Sequence, residues 1–458
     1  MFSEDSQVWH HKIVCNMMRE GEFVGFMRAA LFLLIASALH ADDWPQWLGP
    51  QRDGVWRETG IVEKFPDGGP KVLWRVKIGA GYTGPAVAGG KVYLMDRQAA
   101  ARGDVPGNAF ARGIIPGTER VLCLDAKTGT QLWGHRYDCT YTMSYSTGPR
   151  CTPLVSDGKL WTVGAEGNLF CLDATNGKVL WSHDFKADFK ARTPMWGFAG
   201  HPLLDGRRLI CLVGGPGSVA MAFDKDSGKE LWRALDAREP GYAPPTMIEQ
   251  GGTKQLILWH PQSVNSLDPA TGKVLWSHSW EIRAGLTIAT PRLAGDFLLL
   301  SSFYTSSKCF RPDGTLVWEG NSFSEKNTDT LHSLMSTPFI ENGHIYGVCS
   351  YGQLRCLKLE TGERVWETMA ATTGGPLVRW ANAFIVKHED RFFLANELGD
   401  LIIAKMTPQG YEEISRARIL KPTTTDPRRA VVWSHPAFAN QCVFMRNDEE
   451  IVCVSLAK

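Results

Sequence analysis

The sequence predicts an all-β protein, an eight-bladed β-propeller whose four-stranded antiparallel blades form a ring closed by pairing the N-terminal and C-terminal strands. Three observations support this prediction. A phrase ending in tryptophan recurs along the chain, a proline-initiated apolar run occurs eight times, and the last unit lacks one strand. Self-similarity at a period of roughly 40 to 50 residues is typical of propellers and solenoids.

The recurring phrase has the form Asp-x-x-Thr-Gly-x-x-x-Trp, as in LDAKTGTQLW at 124–133 and LDPATGKVLW at 267–276. The Asp ends a third strand, and the Gly suits a turn with positive φ. The fourth strand then carries the Trp at a fixed offset, and its large apolar surface can wedge between neighbouring sheets. The structural repeat residues are Asp125, Gly129, Trp133, Asp173, Gly177, Trp181, Asp224, Gly228, Trp232, Asp268, Gly272, Trp276, Trp318, Gly362 and Trp366, with Trp74 in the N-terminal segment.

The proline-initiated run predicts the first strand of each blade, because a proline at the start of a strand removes no ladder hydrogen bond. After the last such proline the chain supplies only three strands, without a tryptophan-bearing one. The segment KVLWRVKI at 71–78 has the missing form. We expect it to complete the last blade, since closure removes exposed sheet edges. The eight prolines are Pro85, Pro153, Pro202, Pro245, Pro291, Pro338, Pro376 and Pro436.

The N-terminal region predicts export. Residues 27–41 read as a secretory signal peptide, because a short charged start precedes an apolar run that is too short to span a bilayer. Upstream, residues 1–26 form a doubtful extension, since translation can start at Met27. The domains are then a leader segment at 42–70 and a propeller at 71–458. We expect a soluble periplasmic or cell-envelope protein with no transmembrane helix in the mature chain.

Composition excludes some functions and leaves others open. The net charge is +1 without a long basic run, so no nucleic-acid footprint is visible. Of the eleven cysteines, Cys139 and Cys151 flank a loop and could pair. The cysteines that share one register of the repeat read as small buried strand residues. They are Cys123, Cys171, Cys309, Cys356 and Cys453.

The candidate binding residues interrupt the repeat. Segments that lead into the innermost strands of a propeller gather at one mouth of the central channel, and binding residues concentrate on such loops. Here these mouth segments carry aromatic and a few polar side chains, which could form a ligand or peptide pocket or could simply pack between blades. The eight mouth segments are 81–85, 144–153, 193–202, 241–245, 285–291, 331–338, 371–376 and 431–436. The insertion at 97–120 predicts a surface loop that could cover part of one face. The candidates are Tyr82, Tyr145, Arg150, Trp196, His201, Tyr242, His332, Trp433 and His435.

The phrase resembles the tryptophan-docking motif of the quinoprotein-type, or pyrroloquinoline quinone (PQQ)-like, β-propeller repeat. The resemblance is clearest at Asp125, Thr128, Gly129 and Trp133, and it covers roughly residues 70–456. The leader DWPQWLGPQRDGVW also resembles the start of exported members. The family includes PQQ-dependent alcohol and glucose dehydrogenases. It also includes non-enzymatic members such as BamB, a scaffold subunit of outer-membrane protein assembly.

The resemblance favours the BamB-like branch. Dehydrogenases of the family typically hold PQQ under a vicinal disulfide, and this sequence has no adjacent cysteines. Their calcium ligands and catalytic Asp find no residue-by-residue match, so no catalytic residue and no metal ligand is assigned. We therefore expect a monomeric, non-catalytic scaffold without a cofactor that binds an envelope protein or a small ligand. The alternatives are a PQQ-dependent oxidoreductase with calcium and a carbohydrate-binding propeller.

Overall fold

The computed structural model describes residues 42–100, 107–426 and 429–458. In these ranges the chain forms eight four-stranded antiparallel sheets and one two-stranded hairpin, arranged as an eight-bladed β-propeller. The predicted fold class is confirmed. The predicted signal peptide and its upstream extension lie outside the described residues. No helix among the described residues has the length and apolar character needed to cross a membrane.

The first strand, β1 (Val72–Lys77), belongs to the last blade. Blade 1 consists of β2 (Ala86–Ala88), β3 (Lys91–Ala99), β4 (Gly117–Asp125) and β5 (Gln131–Asp138). Blade 2 consists of β6 (Leu154–Ser156), β7 (Lys159–Val163), β8 (Asn168–Asp173) and β9 (Val179–Asp184). The short helix α1 (Phe185–Phe189) follows. Blade 3 consists of β10 (Leu203–Asp205), β11 (Arg208–Gly215), β12 (Ser218–Asp224) and β13 (Glu230–Ala234).

Blade 4 consists of β14 (Thr246–Gln250), β15 (Thr253–His260), β16 (Ser263–Leu267) and β17 (Val274–Ser279), followed by a 3-10 turn, Arg283–Gly285. Blade 5 consists of β18 (Arg292–Ala294), β19 (Phe297–Ser302), β20 (Ser306–Phe310) and β21 (Leu316–Glu319). Blade 6 consists of β22 (Phe339–Glu341), β23 (His344–Val348), β24 (Leu354–Lys358) and β25 (Arg364–Thr368).

Blade 7 consists of β26 (Ala383–His388), β27 (Arg391–Asn396), β28 (Asp400–Thr407) and β29 (Gly410–Arg418). The hairpin of β30 (Thr424–Asp426) and β31 (Arg429–Val431) follows. Blade 8 contains β32 (Ala437–Ala439), β33 (Cys442–Arg446), β34 (Glu450–Ser455) and β1. Because β1 pairs antiparallel with β34, the two ends of the described chain close the ring as predicted.

Each repeat tryptophan links its blade to the next one. Trp74 in β1 donates from Nε1 to the carbonyl of Ala126 at 3.0 Å, and its ring covers the turn glycine Gly129. The hydrogen bond recurs at the other repeat tryptophans, because the indole needs an acceptor once its ring is covered, and the covered glycine recurs at all of them except Trp366. The other links run from Trp133 to Ala174, Trp181 to Lys225, Trp232 to Pro269, Trp276 to Pro312, Trp318 to Leu359 and Trp366 to Thr407.

The turn glycines offer a direct test of this link. We expect Gly177→Ala to lower the free energy of unfolding by about 2–4 kcal/mol, because its Cβ would overlap the preceding tryptophan and its φ is positive. That Cβ would lie 2.5 Å from Trp133 Cε3. The matched control is Gly158→Ala, which has φ +72° but open space around the added atom, and should cost only about 1 kcal/mol. Equal losses in urea denaturation would contradict the docking role of the glycine.

Two local expectations are corrected by the structure. In blade 7 the innermost strand is Ala383–His388, so Pro376 lies in a loop before it and does not start the strand. The insertion at 97–120 is partly strand, because β3 and β4 extend into it. Its strand part is fixed by buried Arg97, which donates to the carbonyls of Ile115 and Pro116.

The cysteines of the described residues are free thiols. Cys139 and Cys151 are both buried and unpaired, so the possible disulfide between them does not form. The five cysteines in the repeat register are likewise buried free thiols, as predicted. Burial raises the pKa of Cys123 and Cys171 to about 12, so these groups stay protonated and act as small apolar residues.

The leader packs onto the propeller instead of standing apart from it. Residues 42–458 form one compact unit. Trp44 exchanges backbone hydrogen bonds with Val87 of blade 1, and Trp56 donates to Lys387 of blade 7. Between these points Arg52 donates to the carbonyl of Pro202 in front of blade 3, at 2.9 Å. The leader therefore runs across the central channel and is part of the core.

Candidate functional site

A cavity of about 270 Å³ lies at the mouth of the central channel. Seven of the eight mouth segments contribute to its wall, and the seventh blade adds Trp380 and Phe384 from the chain just after its segment. Ten of the 20 lining residues are Phe, Trp or Tyr. The lining is Trp47, Tyr82, Gly84, Phe110, Tyr145, Arg150, Trp196, Ala199, His201, Tyr242, Ala284, Leu286, Ile288, Tyr304, Leu334, Met335, Trp380, Phe384, Trp433 and His435.

The structure brings together eight of the nine candidate residues, and His332 is the exception. His332 is fully buried beside the cavity wall, where its Nδ1 lies 3.0 Å from the carbonyl of Phe303 and its Nε2 lies 3.4 Å from Asp329. Burial lowers its pKa. His332 is thus a neutral residue that holds loops together. The eight in the lining are Tyr82, Tyr145, Arg150, Trp196, His201, Tyr242, Trp433 and His435.

The floor of the cavity is Trp47, which comes from the leader. Its indole stacks on the His201 ring at a centroid distance of 4.0 Å and an interplanar angle of 10°, and it approaches His435 at 4.6 Å. Its Nε1 donates to Thr290 Oγ1 at 2.9 Å. Because the leader crosses the channel here, the cavity is a funnel that opens away from the leader.

The opposite end is partly covered by Phe110, which belongs to the insertion. Its ring lies edge-on to Tyr145 and Trp196 and tilted on Trp380, with centroid distances of 5.2, 6.1 and 5.7 Å. The backbone beside it is fixed, because Tyr145 donates from its N–H to the carbonyl of Ala109. Phe110 remains 42% exposed. The ring therefore narrows the mouth of the cavity without sealing it.

Arg150 is the one charged side chain among the lining residues. Its guanidinium lies 5.1 Å from the centre of the Tyr82 ring. It donates to the carbonyls of Gly148, Ser144 and Tyr145, which folds the second mouth segment around it. The same hydrogen bonds that shape the loop thus place a cation in an aromatic wall, where cation–π contact is favourable.

The two lining histidines are neutral. Burial, with the charge of Arg52, lowers the pKa of His201 well below its usual value, and burial lowers that of His435 to about 4. His201 Nδ1 accepts from the N–H of Thr152 at 2.8 Å, which assigns the ring proton to Nε2. Since His201 lines the cavity and no hydrogen bond from the described residues reaches Nε2, this N–H can serve an occupant.

The lining does not fit PQQ with calcium. It contains no Asp, Glu, Asn or Gln, whereas calcium takes six to eight oxygen ligands, mostly carboxylates and carbonyls. Across the described ranges no cluster of three His, Cys, Asp or Glu side chains could hold a metal ion. PQQ carries several carboxylates, and the lining offers only one guanidinium to balance their charge.

The tryptophan links and the aromatic funnel define the class of the protein, a PQQ-like β-propeller. The chain matches the family model of the outer membrane protein assembly factor BamB over residues 117–279 and 260–458. It therefore belongs to this family, and the resemblance found in the repeat phrase is confirmed. No curated protein matches the chain in sequence.

Solved structures support the fold from both branches of the family. BamB from Moraxella catarrhalis is similar with 15% identity and a TM-score of 0.53, covering 83% of this chain and 98% of that chain. A europium-containing methanol dehydrogenase gives 14% identity and 0.59, covering 90% and 89%. Quinohemoprotein alcohol dehydrogenase from Comamonas testosteroni gives 12% and 0.56, covering 93% and 82%. At these identities the likeness establishes the fold alone.

The sequence did not indicate 12 of the 20 lining residues. Leu286, Ile288, Leu334 and Met335 lie in mouth segments that the repeat had already marked, but their apolar side chains gave no chemical signal. Trp380 comes after Pro376, in a stretch that the sequence pattern assigned to the first strand of blade 7. It was therefore not counted among the mouth residues. Trp47 and Phe110 lie far from any mouth segment in sequence, and only the tertiary fold brings them in.

Proposed function

We propose that this protein is a non-catalytic binding propeller of the cell envelope, whose aromatic funnel holds an apolar segment of a partner protein. The observation that carries the proposal is the lining itself, which combines ten aromatic rings with a single charged residue. Buried aromatic pockets of this kind anchor the energetically dominant residues of protein partners. Membership in the BamB family supports a partner that takes part in outer-membrane protein assembly.

The alternatives find less support in the same lining. An oxidoreductase needs a base whose pKa lies near the working pH, and the pKa of His435 at about 4 makes it a weak base. Carbohydrate hydroxyls donate as well as accept hydrogen bonds, and the lining has no carboxylate or amide side chain to accept from them. Both alternatives stay testable, but the geometry favours a purely binding role.

The proposal predicts that partner binding depends on the funnel and is independent of the outer repeat. We expect Trp196→Ala to weaken capture of the envelope partner about thirtyfold, because an aromatic anchor contributes about 2 kcal/mol or more. The matched control is Trp366→Ala, which removes an indole from the rim of blade 6, outside the lining. Quantitative pull-down from an envelope extract, with both variants folded by circular dichroism, measures the difference.

A second arm of the same experiment separates binding from catalysis. The purified protein is incubated with micromolar PQQ and calcium and examined for a bound-quinone spectrum and for alcohol- or sugar-dependent dye reduction. We expect neither. Turnover in this assay, together with equal partner capture by Trp196→Ala and wild type, would overturn the proposal.

A further inference from the structure

We infer that the funnel selects an occupant that carries one carboxylate beside a flat apolar group. This inference rests on the proposed binding function and specifies the chemistry of what binds. Its basis is the uneven distribution of charge around the cavity, because one cationic residue, Arg150, belongs to the lining and no Asp or Glu does.

Arg150 contributes a positive charge to the cavity wall. Among the described residues no Asp or Glu side chain lies within ion-pair distance of its guanidinium, although Glu119 is near enough for the charge of Arg150 to act on its carboxyl. Its hydrogen bonds to Gly148, Ser144 and Tyr145 use three of the five N–H donors. The N–H of Nε and one N–H of Nη1 are left for an occupant. A carboxylate is the acceptor that such a group binds best, because the hydrogen bond is charge-assisted.

The acidic side chains near the cavity are bound to other groups and lie outside the lining. Glu119 is buried behind the wall and accepts from the hydroxyls of Tyr137 and Tyr141 and from the N–H of Ala165. Glu325 pairs with Arg379 at 2.8 Å, and Glu239 accepts from the Tyr242 hydroxyl at 3.3 Å. Since none of these carboxylates lines the cavity, nothing in the lining repels an anion.

The floor of the cavity adds a further hydrogen-bond donor. His201 lines the cavity with a ring stacked on Trp47, and its Nε2–H has no acceptor among the described residues, so it can act as a second donor to an occupant. A cavity of about 270 Å³ is smaller than those that hold drug-sized ligands, and it suits one or two rings. The lining thus offers stacking surfaces for a flat group and hydrogen-bond donors for an anion.

Two sources share this chemistry. One is a free aromatic acid, and the other is a protein chain that ends in an aromatic residue with a free α-carboxylate. The two are distinguished by probes. Isothermal titration compares 2-naphthoate with 2-naphthamide, and the peptide acetyl-Gly-Gly-Phe with its C-terminal amide. We expect each charged probe that binds to do so at least about tenfold more tightly than its uncharged analogue.

Variants of Arg150 test whether this residue causes the difference. We expect Arg150→Met to remove the preference for acid over amide, while Arg150→Lys retains most of it. The lysine variant controls for the loss of the loop hydrogen bonds, because it lacks the guanidinium fork but keeps the charge. The matched control is Arg283→Met, which removes an exposed cation stacked on Tyr304 at 4.8 Å and outside the lining, and should keep the full preference.

The outcomes separate this inference from the proposed function. Stronger binding of naphthoate than of the peptide acid indicates a small molecule, and the reverse indicates a chain terminus. Equal affinity for acid and amide, a preference that survives Arg150→Met, or no binding of any probe while partner capture still depends on Trp196 would overturn the inference alone. Loss of the Trp196 dependence would instead overturn the proposed function.

Discussion

Replacing Trp74 by alanine is expected to lower the free energy of unfolding by about 3–5 kcal/mol, because a large indole leaves an almost closed site. Trp74 is only 8% exposed. It donates to Ala126, covers Gly129 of blade 1 and lies 5.9 Å from the Phe444 ring of its own blade. It is also carried by β1, the strand that closes the ring on β34. Its loss therefore weakens both an inter-blade link and the closure itself.

The comparison with Trp366 gives this prediction its control. Trp366 is the seventh link and donates to Thr407, but its ring does not cover Gly410, the glycine in the turn that it meets. Since it buries less surface, Trp366→Ala should cost about 1–2 kcal/mol. Urea denaturation of both variants at pH 7.5 measures the two losses. Equal values would show that ring closure through Trp74 has no special weight.

The fold could be predicted because its information is local and repeated. A strand alternates its side chains with a period of two, so a fixed offset from turn glycine to tryptophan, as between Gly129 and Trp133, fixes the face on which the indole lies. The missing eighth copy then indicated closure by β1. Where the local signal was weak, the predicted strand start was wrong. In blade 7 the first strand does not start at Pro376.

The funnel could be predicted only in part, because only the residues that belong to the repeated pattern give a local signal in the sequence. The mouth segments converge because every blade has the same topology, so their aromatic residues meet without any further information. Trp47 and Phe110 reach the cavity through contacts between segments far apart in the chain, such as that of Trp47 with Thr290. His332 shows the opposite case, in which the correct segment turns its side chain inward to Asp329.

Acidification from pH 7.5 to pH 5 is expected to destabilise the protein strongly, through histidines that are buried neutral. Burial lowers the pKa of His260 and of His435 to about 4, against about 6.5 in an unfolded chain. Between these values the unfolded chain binds a proton that the folded chain does not, so stability is full above pH 6.5 and falls as the pH drops through the window. At pH 5 each histidine should cost about 2 kcal/mol.

Other titratable groups also change the stability between pH 7.5 and pH 5, but protonation of His260 and His435 remains destabilising. His201 has a pKa lowered in the same way and adds to the loss. Glu119 acts in the opposite direction, because burial raises its pKa and the folded chain takes up its proton more readily. The lowered pKa of Asp224 and of Asp329, at about 2, removes stability only below about pH 4, outside this range.

A substitution that cannot titrate isolates one histidine. His260 Nδ1 accepts from the N–H of Gln262 at 3.2 Å. Protonation of Nδ1 would remove this acceptor and place two N–H groups opposite each other. We expect His260→Gln to reduce the stability difference between pH 7.5 and pH 5 by about 2 kcal/mol. Any packing loss cancels, because each variant is compared with itself at the two pH values. The control is Trp259→Phe, a buried neighbour that does not titrate and should keep the full difference. An unchanged difference in His260→Gln would show that this histidine is not the group that titrates.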